Sequence, residues 1–329
     1  MPRPGSQADL LAQFNELVPQ AQALGIRVQA RTSGHFSRSA MTQRLAALRA
    51  SIAQFNAPST FGTERTFGCE FEFHMPRGMV RAHLAQVLTQ AGIPTRLAPY
   101  HDKTVSTTQW KLTTDGSLGN YTTGSELVTP KLSGRAGFEL VQKALKTLTD
   151  AGCRVNKECG FHVHVGVKAD GLYAGEQVGF FKNLLRLYRK FEPVIDSILA
   201  LSRRGSANRW CATTRFSDNA VYGATSMDQI RAAYAPNDYA KYKKVNLCTY
   251  WRQGTVEFRH HQGTLNPLTA TKWIGLVLRI VETASKKTEN EIASATADLG
   301  NLLTLVGAEE GDRTFFTDRQ TRLSQGARA

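Results

Sequence analysis

TFGCEFEFHM, residues 66–75, alternates apolar and polar side chains with a period of two. In a strand successive side chains point to opposite faces, so Cys69, Phe71 and Phe73 share one face and Glu70 and Glu72 share the other. Two later stretches repeat the pattern. In GFHVHVGV, residues 160–167, His162 and His164 flank Val163, and in GTVEFRHH, residues 254–261, Glu257 and Arg259 flank Phe258. A single strand of this kind is ordinarily the half-solvated face of a sheet. Three of them, each with two ionisable groups on one side, point to a shared polar surface backed by an apolar one.

Working outward, TTQWKLTTD (107–115) and SELVTP (125–130) read as further short strands, joined by a glycine-containing turn. Helices are expected over residues 81–91, 137–152 and about 175–201, with Pro193 bending or dividing the last. The apolar run after Pro267 is long enough for a buried helix, and residues 205–240 show no clear pattern. Strands and helices interleave without a βαβ glycine signature, so the expected fold class is α+β, an antiparallel sheet with packed helices, rather than a dinucleotide-binding fold.

The chain begins with two short helical patterns, residues 8–24, where Pro19 marks a boundary, and residues 37–55. NAPSTFGTERT, residues 56–66, reads as a linker. The organisation expected is therefore a helical N-terminal module and linker (1–60), a main domain (61–312) and a polar, fraying C-terminal tail (313–329). With 41% hydrophobic and 21% charged residues the composition is that of a globular protein. A net charge of +14 favours anionic partners, and the basic N-terminal region makes nucleic acid one candidate. Five widely spaced cysteines with no CxxC pair argue against a disulfide framework or a zinc ribbon. No segment reads as a secretory signal or a membrane span, so the expectation is a cytoplasmic protein without membrane contact.

Carboxylates packed together repel one another unless a cation is present, and magnesium binds both carboxylate and phosphate oxygens. Glu70, Glu72 and Glu257 on one sheet face therefore read as a metal cradle. Glu126 begins an apolar strand and projects toward the same cluster, whereas Asp115 sits in an Asp-Gly turn signal. His162 and His164 suit zinc together with Cys159 and Glu257, or manganese, or a nucleotide phosphate. The Arg259 guanidinium fork suits carboxylate or phosphate, and Lys111, Arg209, Arg215, Lys243, Lys244 and Arg252 are further anion contacts. The glycines of GTLNP and DGSLGN lack the lysine and helix of a phosphate-binding loop, which excludes an ordinary P-loop enzyme but not ATP use on another fold.

The ordered set FGCEFEF, WKLTTDGS, SELVTP, HVHVG, YKKVNL and TVEFRHHQGTLN, spanning about residues 65–285, resembles the amidoligase family, relatives of glutamine synthetase and the glutamate-cysteine ligases. That resemblance implies a curved, glutamine synthetase-like sheet. It also implies divalent metal, Mg2+ or alternatively Mn2+, on Glu70, Glu72, Glu126, His162 or His164, and Glu257, with ATP bound beside them. Lys111, His162, His164, Arg252 and Arg259 are then the expected nucleotide contacts, and Arg259, Glu126 and Asp115 the expected catalytic groups. The implied reaction is ATP-dependent ligation of a carboxylate to an amine through an acyl phosphate. Rival readings are guanidine phosphotransfer, zinc-dependent hydrolysis, and a noncatalytic nucleic-acid-binding or assembly protein.

Overall fold

The computed structural model describes residues 3–23, 28, 37–56, 65–99, 102, 104, 106–119, 122–167, 177–206 and 208–325. Two helices, α1 (Gln7–Ala23) and α2 (Arg38–Asn56), come first. The body then runs β1 (Phe67–His74), α3 (Arg81–Gln90), β2 (Thr95–Leu97), β3 (Trp110–Thr113), β4 (Gly124–Val128), α4 (Gly134–Asp150), β5 (Gly160–Gly166) and α5 (Gln177–Ser197). It continues through α6 (Asp218–Tyr222), α7 (Met227–Tyr234), β6 (Val245–Asn246), α8 (Cys248–Gln253), β7 (Thr255–Gln262) and α9 (Pro267–Lys286). The last elements are α10 (Glu289–Ser294), α11 (Leu299–Leu305) and α12 (Glu310–Gln325).

The strands form one sheet in the order β2-β3-β4-β1-β5-β7-β6, in which only the β2–β3 pair is parallel. The expected α+β class with an antiparallel sheet is what forms. Alternation explains why. Phe67, Cys69, Phe71 and Phe73 of β1, Phe161, Val163 and Val165 of β5, and Val256 and Phe258 of β7 are all buried. Their face is covered by α4, α5 and α9, and α9 packs directly on β5. The long α9 starts where the sequence directs it: Pro267 occupies the first turn and the Asn266 side chain accepts from Thr269 N at 2.8 Å.

Register decides which polar residues meet on the opposite face. Glu72 pairs with Glu126, Glu70 with His162, and His164 with Glu257, which in turn pairs with Asn246. Between Phe161 and Val163 the β5–β7 register shifts, so that Phe161 opposes His261 while Val163 opposes Phe258. The extra residue in β7 lets Arg259 face outward while His260 and His261 both turn to the helices, where their rings meet Trp273.

Three expectations are corrected. Pro19 lies inside α1 and marks no boundary; packing of Leu17, Val18 and Ala21 against α2 compensates for its missing amide donor. Pro193 sits within a continuous α5 and does not divide it. The tail expected to fray from residue 313 is helical to Gln325, because Phe315 and Phe316 are buried and Asp312 pairs with Lys272 of α9 at 2.8 Å. Most of the linker lies outside the described residues, but Arg65 at its end is already anchored, to Glu282 at 2.7 Å and to Gly166 O at 3.1 Å. The α1–α2 pair buries its own small cluster around Phe14, Met41, Leu45 and Leu48, separate from the main core. No described helix is long and apolar enough to cross a membrane.

Candidate functional site

A cleft of about 910 Å³ lies over the polar face of the sheet. Glu70 and Glu72 from β1, Glu126 from β4, His162 and His164 from β5, and Glu257 and Arg259 from β7 all line it. Each is held by strand geometry rather than by a loop, since positions two apart on one strand share a face. Gly160 makes the closeness possible: a Cβ there would stand 2.9 Å from His162 Nε2 and 3.3 Å from the Glu72 carboxylate.

At the centre, His162 Nδ1 lies 3.0 Å from Glu70 Oε2 and His164 Nε2 lies 3.2 Å from Glu70 Oε1. Burial resists ionisation of Glu70, but the hydrogen bonds to the two imidazoles outweigh it and hold this carboxyl well below its usual range. Glu257 is also held low, because Arg259 and His164 outweigh its burial. Its oxygens are taken by Arg259 Nη1 on one side and by Asn246 Nδ2, at 2.5 Å, on the other. His164 is pushed up despite burial by Glu257 and Glu70, and its Nδ1 faces Thr255 Oγ1 at 3.2 Å and Gln253 Nε2 at 3.0 Å.

The neighbouring end of the cleft differs. Glu72 is raised by burial, against the pull of His162, and accepts from Gly160 N at 2.5 Å. Glu126 is pushed well up by burial and then by Glu70, Asp115 and Glu72, opposed by Lys111. A carboxyl driven up by three neighbouring acids marks a local excess of negative charge. That excess is what a bound cation would neutralise.

Among the described residues, two donor sets fit such a cation. One ligand atom each from Glu70, His162 and Glu257 lie within 4.8 Å of one another, as do those from Glu72, Glu126 and His162. Carboxylate oxygens with a shared imidazole suit Mg2+ or Mn2+, the latter tolerating nitrogen better. Cys159, considered above as a zinc ligand, belongs to neither set; its thiol, raised by burial to about 11, donates to Asn156 Oδ1 at 3.4 Å.

Other expected residues are placed less centrally. Lys111 lines the cleft, but its Nζ donates to Asp102 O at 2.5 Å and so braces the loop that Arg96 also holds through Asp102 at 2.6 Å. Asp115 lies on the cleft wall while its Oδ1 caps its own turn, accepting from Ser117 N at 2.5 Å. Arg252 stands exposed at the rim. Arg209 stacks on Trp210, and Lys243 donates to Tyr234 O. Lys244 is no anion contact, for it is fully buried between Glu192 and Asp196. Arg203 and Trp210 line the cleft unforeseen. They come from a stretch with no readable periodicity.

Residues 63–281 match the family model described as "Putative amidoligase enzyme". No curated protein matches significantly. Among solved structures, the chain is similar to a bifunctional glutathione synthetase from Pasteurella multocida, at 12% identity and a TM-score of 0.40, over 84% of this chain and 48% of that one. It is also similar to a novel glutamine synthase homolog, at 16% identity and a TM-score of 0.37, over 85% of this chain and 70% of that one. The chain thus spans about half the length of the first of these proteins.

Proposed function

This chain belongs to the amidoligase family across residues 63–281, and on that premise we propose that its cleft joins a carboxylate to an amine with ATP as the energy source. The observation that carries the reading is the pair of carboxylate–imidazole donor sets meeting at His162 beside a paired arginine. Glu70, Glu72, Glu126, Glu257 and His162 would hold one or two divalent ions. When bound, such ions neutralise polyphosphate oxygens and the phosphoryl group in transfer.

In this reading the substrate carboxylate attacks the γ-phosphorus of ATP, ADP leaves, and an acyl phosphate forms. The amine nitrogen then attacks the acyl carbon and phosphate departs. Arg259, oriented by Glu257, presents its guanidinium fork to the negative charge that develops on the phosphoryl or acyl oxygens. Glu126 and Asp115 lie on the same cleft wall, and whichever of them is not engaged by metal is placed to take a proton from the incoming ammonium. Lys111, Arg252 and His164 line the same cleft and complete the anion contacts.

The test is product analysis with ATP, Mg2+ and pools of carboxylates and amines. Equimolar ADP and phosphate, appearing only when both substrates are present and accompanied by a product lighter by one water, is the expected result. A stable phosphorylated acceptor would indicate phosphotransfer, and turnover that needs zinc but no ATP would indicate hydrolysis.

A further inference from the structure

We propose that Lys244, Glu192 and Asp196 are positioning residues: a buried ionic cluster that sets the cleft wall carrying Trp210 and the backbone beneath Arg259. It concerns the same cleft, and only its catalytic consequence rests on the ligase reading.

Lys244 is 0% exposed, and its ammonium has all three donors engaged, with Asp196 Oδ1 and Oδ2 at 2.7 Å each and Glu192 Oε1 at 3.1 Å. Each carboxylate also accepts a bond from the chain that follows α5. Asp196 Oδ2 accepts from Gly205 N at 2.7 Å and Glu192 Oε2 accepts from Thr214 N at 3.0 Å. Both ends of the segment from Gly205 to Thr214 therefore hang on α5. Its middle is pinned by Lys244 itself, whose backbone N donates to Ala212 O at 2.9 Å, and Ala212 N donates to Tyr242 O at 2.7 Å.

That segment supplies Trp210. The Trp210 ring meets Tyr242 edge-on at 5.2 Å, both residues line the cleft, and Trp210 O accepts from Arg259 Nε at 3.4 Å. Lys244 O accepts from Arg259 N at 2.9 Å. The cluster thus grips the main chain of the residue whose side chain pairs with Glu257, while none of its three members lines the cleft.

A buried ion pair is a poor source of stability, because desolvation offsets the Coulomb attraction and well-packed apolar residues serve as well. What charged groups supply here is direction. Five hydrogen bonds converge on four carboxylate oxygens, and two of them come from the backbone amides at the ends of the segment.

Trp210 reports on its own wall. Of the chain's four tryptophans, Trp110 and Trp273 are each 1% exposed, so in a Trp251→Phe background Trp210 is the one open to a quencher. Acrylamide quenching of the substrate-free protein is compared for Lys244→Met, Glu192→Gln and Asp196→Asn in that background, with far-UV dichroism confirming the fold. Lys244→Met should raise the quenching constant about two-fold with a red-shifted emission, and the other two by less, as a locally released segment requires. Glu192→Gln and Asp196→Asn keep the shape and one of the two acceptor oxygens, so they carry the test if Lys244→Met does not fold. A purely structural role would lower the melting temperature and leave native-state quenching alone. Unchanged quenching in every folded variant overturns the proposal, whereas increased quenching supports it even if no ligase product is found.

Discussion

The two faces of the central sheet carry the same residue types to opposite ends. On the cleft face His164 is raised by Glu257 and Glu70, while on the helix face His260 and His261 are driven well down by burial with cationic neighbours adding to it. His260 instead bonds Tyr188 Oη through Nε2 at 2.6 Å, and His261 packs edge-on to Phe161. Surroundings therefore decide chemistry: neighbouring carboxylates favour the protonated form of a histidine, and burial beside cations favours the neutral one. The helix face stores stability and the cleft face stores charge.

The largest effect is expected at the helix face. Phe258 is 0% exposed and packs against Tyr188, so Phe258→Ala should cost about 3–5 kcal/mol in urea unfolding. On the cleft face Arg259→Lys should leave stability nearly intact and lower kcat/KM about ten-fold, because the charge survives while the fork that meets Glu257 is lost. Equal effects of the two changes on unfolding would erase the distinction.

The histidines sharpen it in opposite directions with pH. His261 has a folded pKa below its ordinary 6.5, so the unfolded chain binds a proton that the folded one refuses, and stability falls as pH drops below 6.5. His164 is raised above 6.5, so its contribution is present below that value and is lost as pH rises through its folded pKa. In the metal-free protein His261→Gln should flatten the acid side of the stability profile and His164→Gln the alkaline side. Each change is bounded at about 1.4 kcal/mol per pH unit. Slopes of the same sign for both would show that the faces do not differ.

The smallest effect belongs to neither face. Deleting residues 1–60 removes the separate α1–α2 cluster and should leave metal affinity in the cleft within about two-fold, as expected of packing units with independent cores. Calorimetric titration of residues 61–329 with Mn2+ checks this.

Which parts of this were legible in the sequence follows from the range of the interactions. Glu70, Glu72, His162, His164, Glu257 and Arg259 were readable because strand alternation is local and needs no partner to be seen. Glu126 needed the register that sets it opposite Glu72, and only its place at the start of an apolar strand pointed there. Strict alternation from Glu257 and Arg259 would bring His261 to the cleft; the register shift in β7 turns it away, and no sequence pattern announces it. Lys244 looked like a free cation because Glu192 and Asp196 lie 52 and 48 residues away on α5. Trp210 was hidden in a segment held by those same long-range bonds, and Arg203 reaches the cleft through bonds to Glu158 O and Cys159 O, 45 and 44 residues earlier. The C-terminal helix was missed because α12 is polar along most of its length and anchored by Phe315 and Phe316.

The central claim is that the cleft-face carboxylates hold divalent metal for phosphoryl chemistry. Its most direct test is Mn2+ stoichiometry together with ATP turnover in Glu70→Gln, Glu72→Gln and Glu257→Gln, each verified as folded. The expected result is loss of at least one bound ion, or about ten-fold weaker affinity, and turnover reduced about 100-fold or more at matched metal activity. Unchanged metal binding and turnover in all three variants would contradict it.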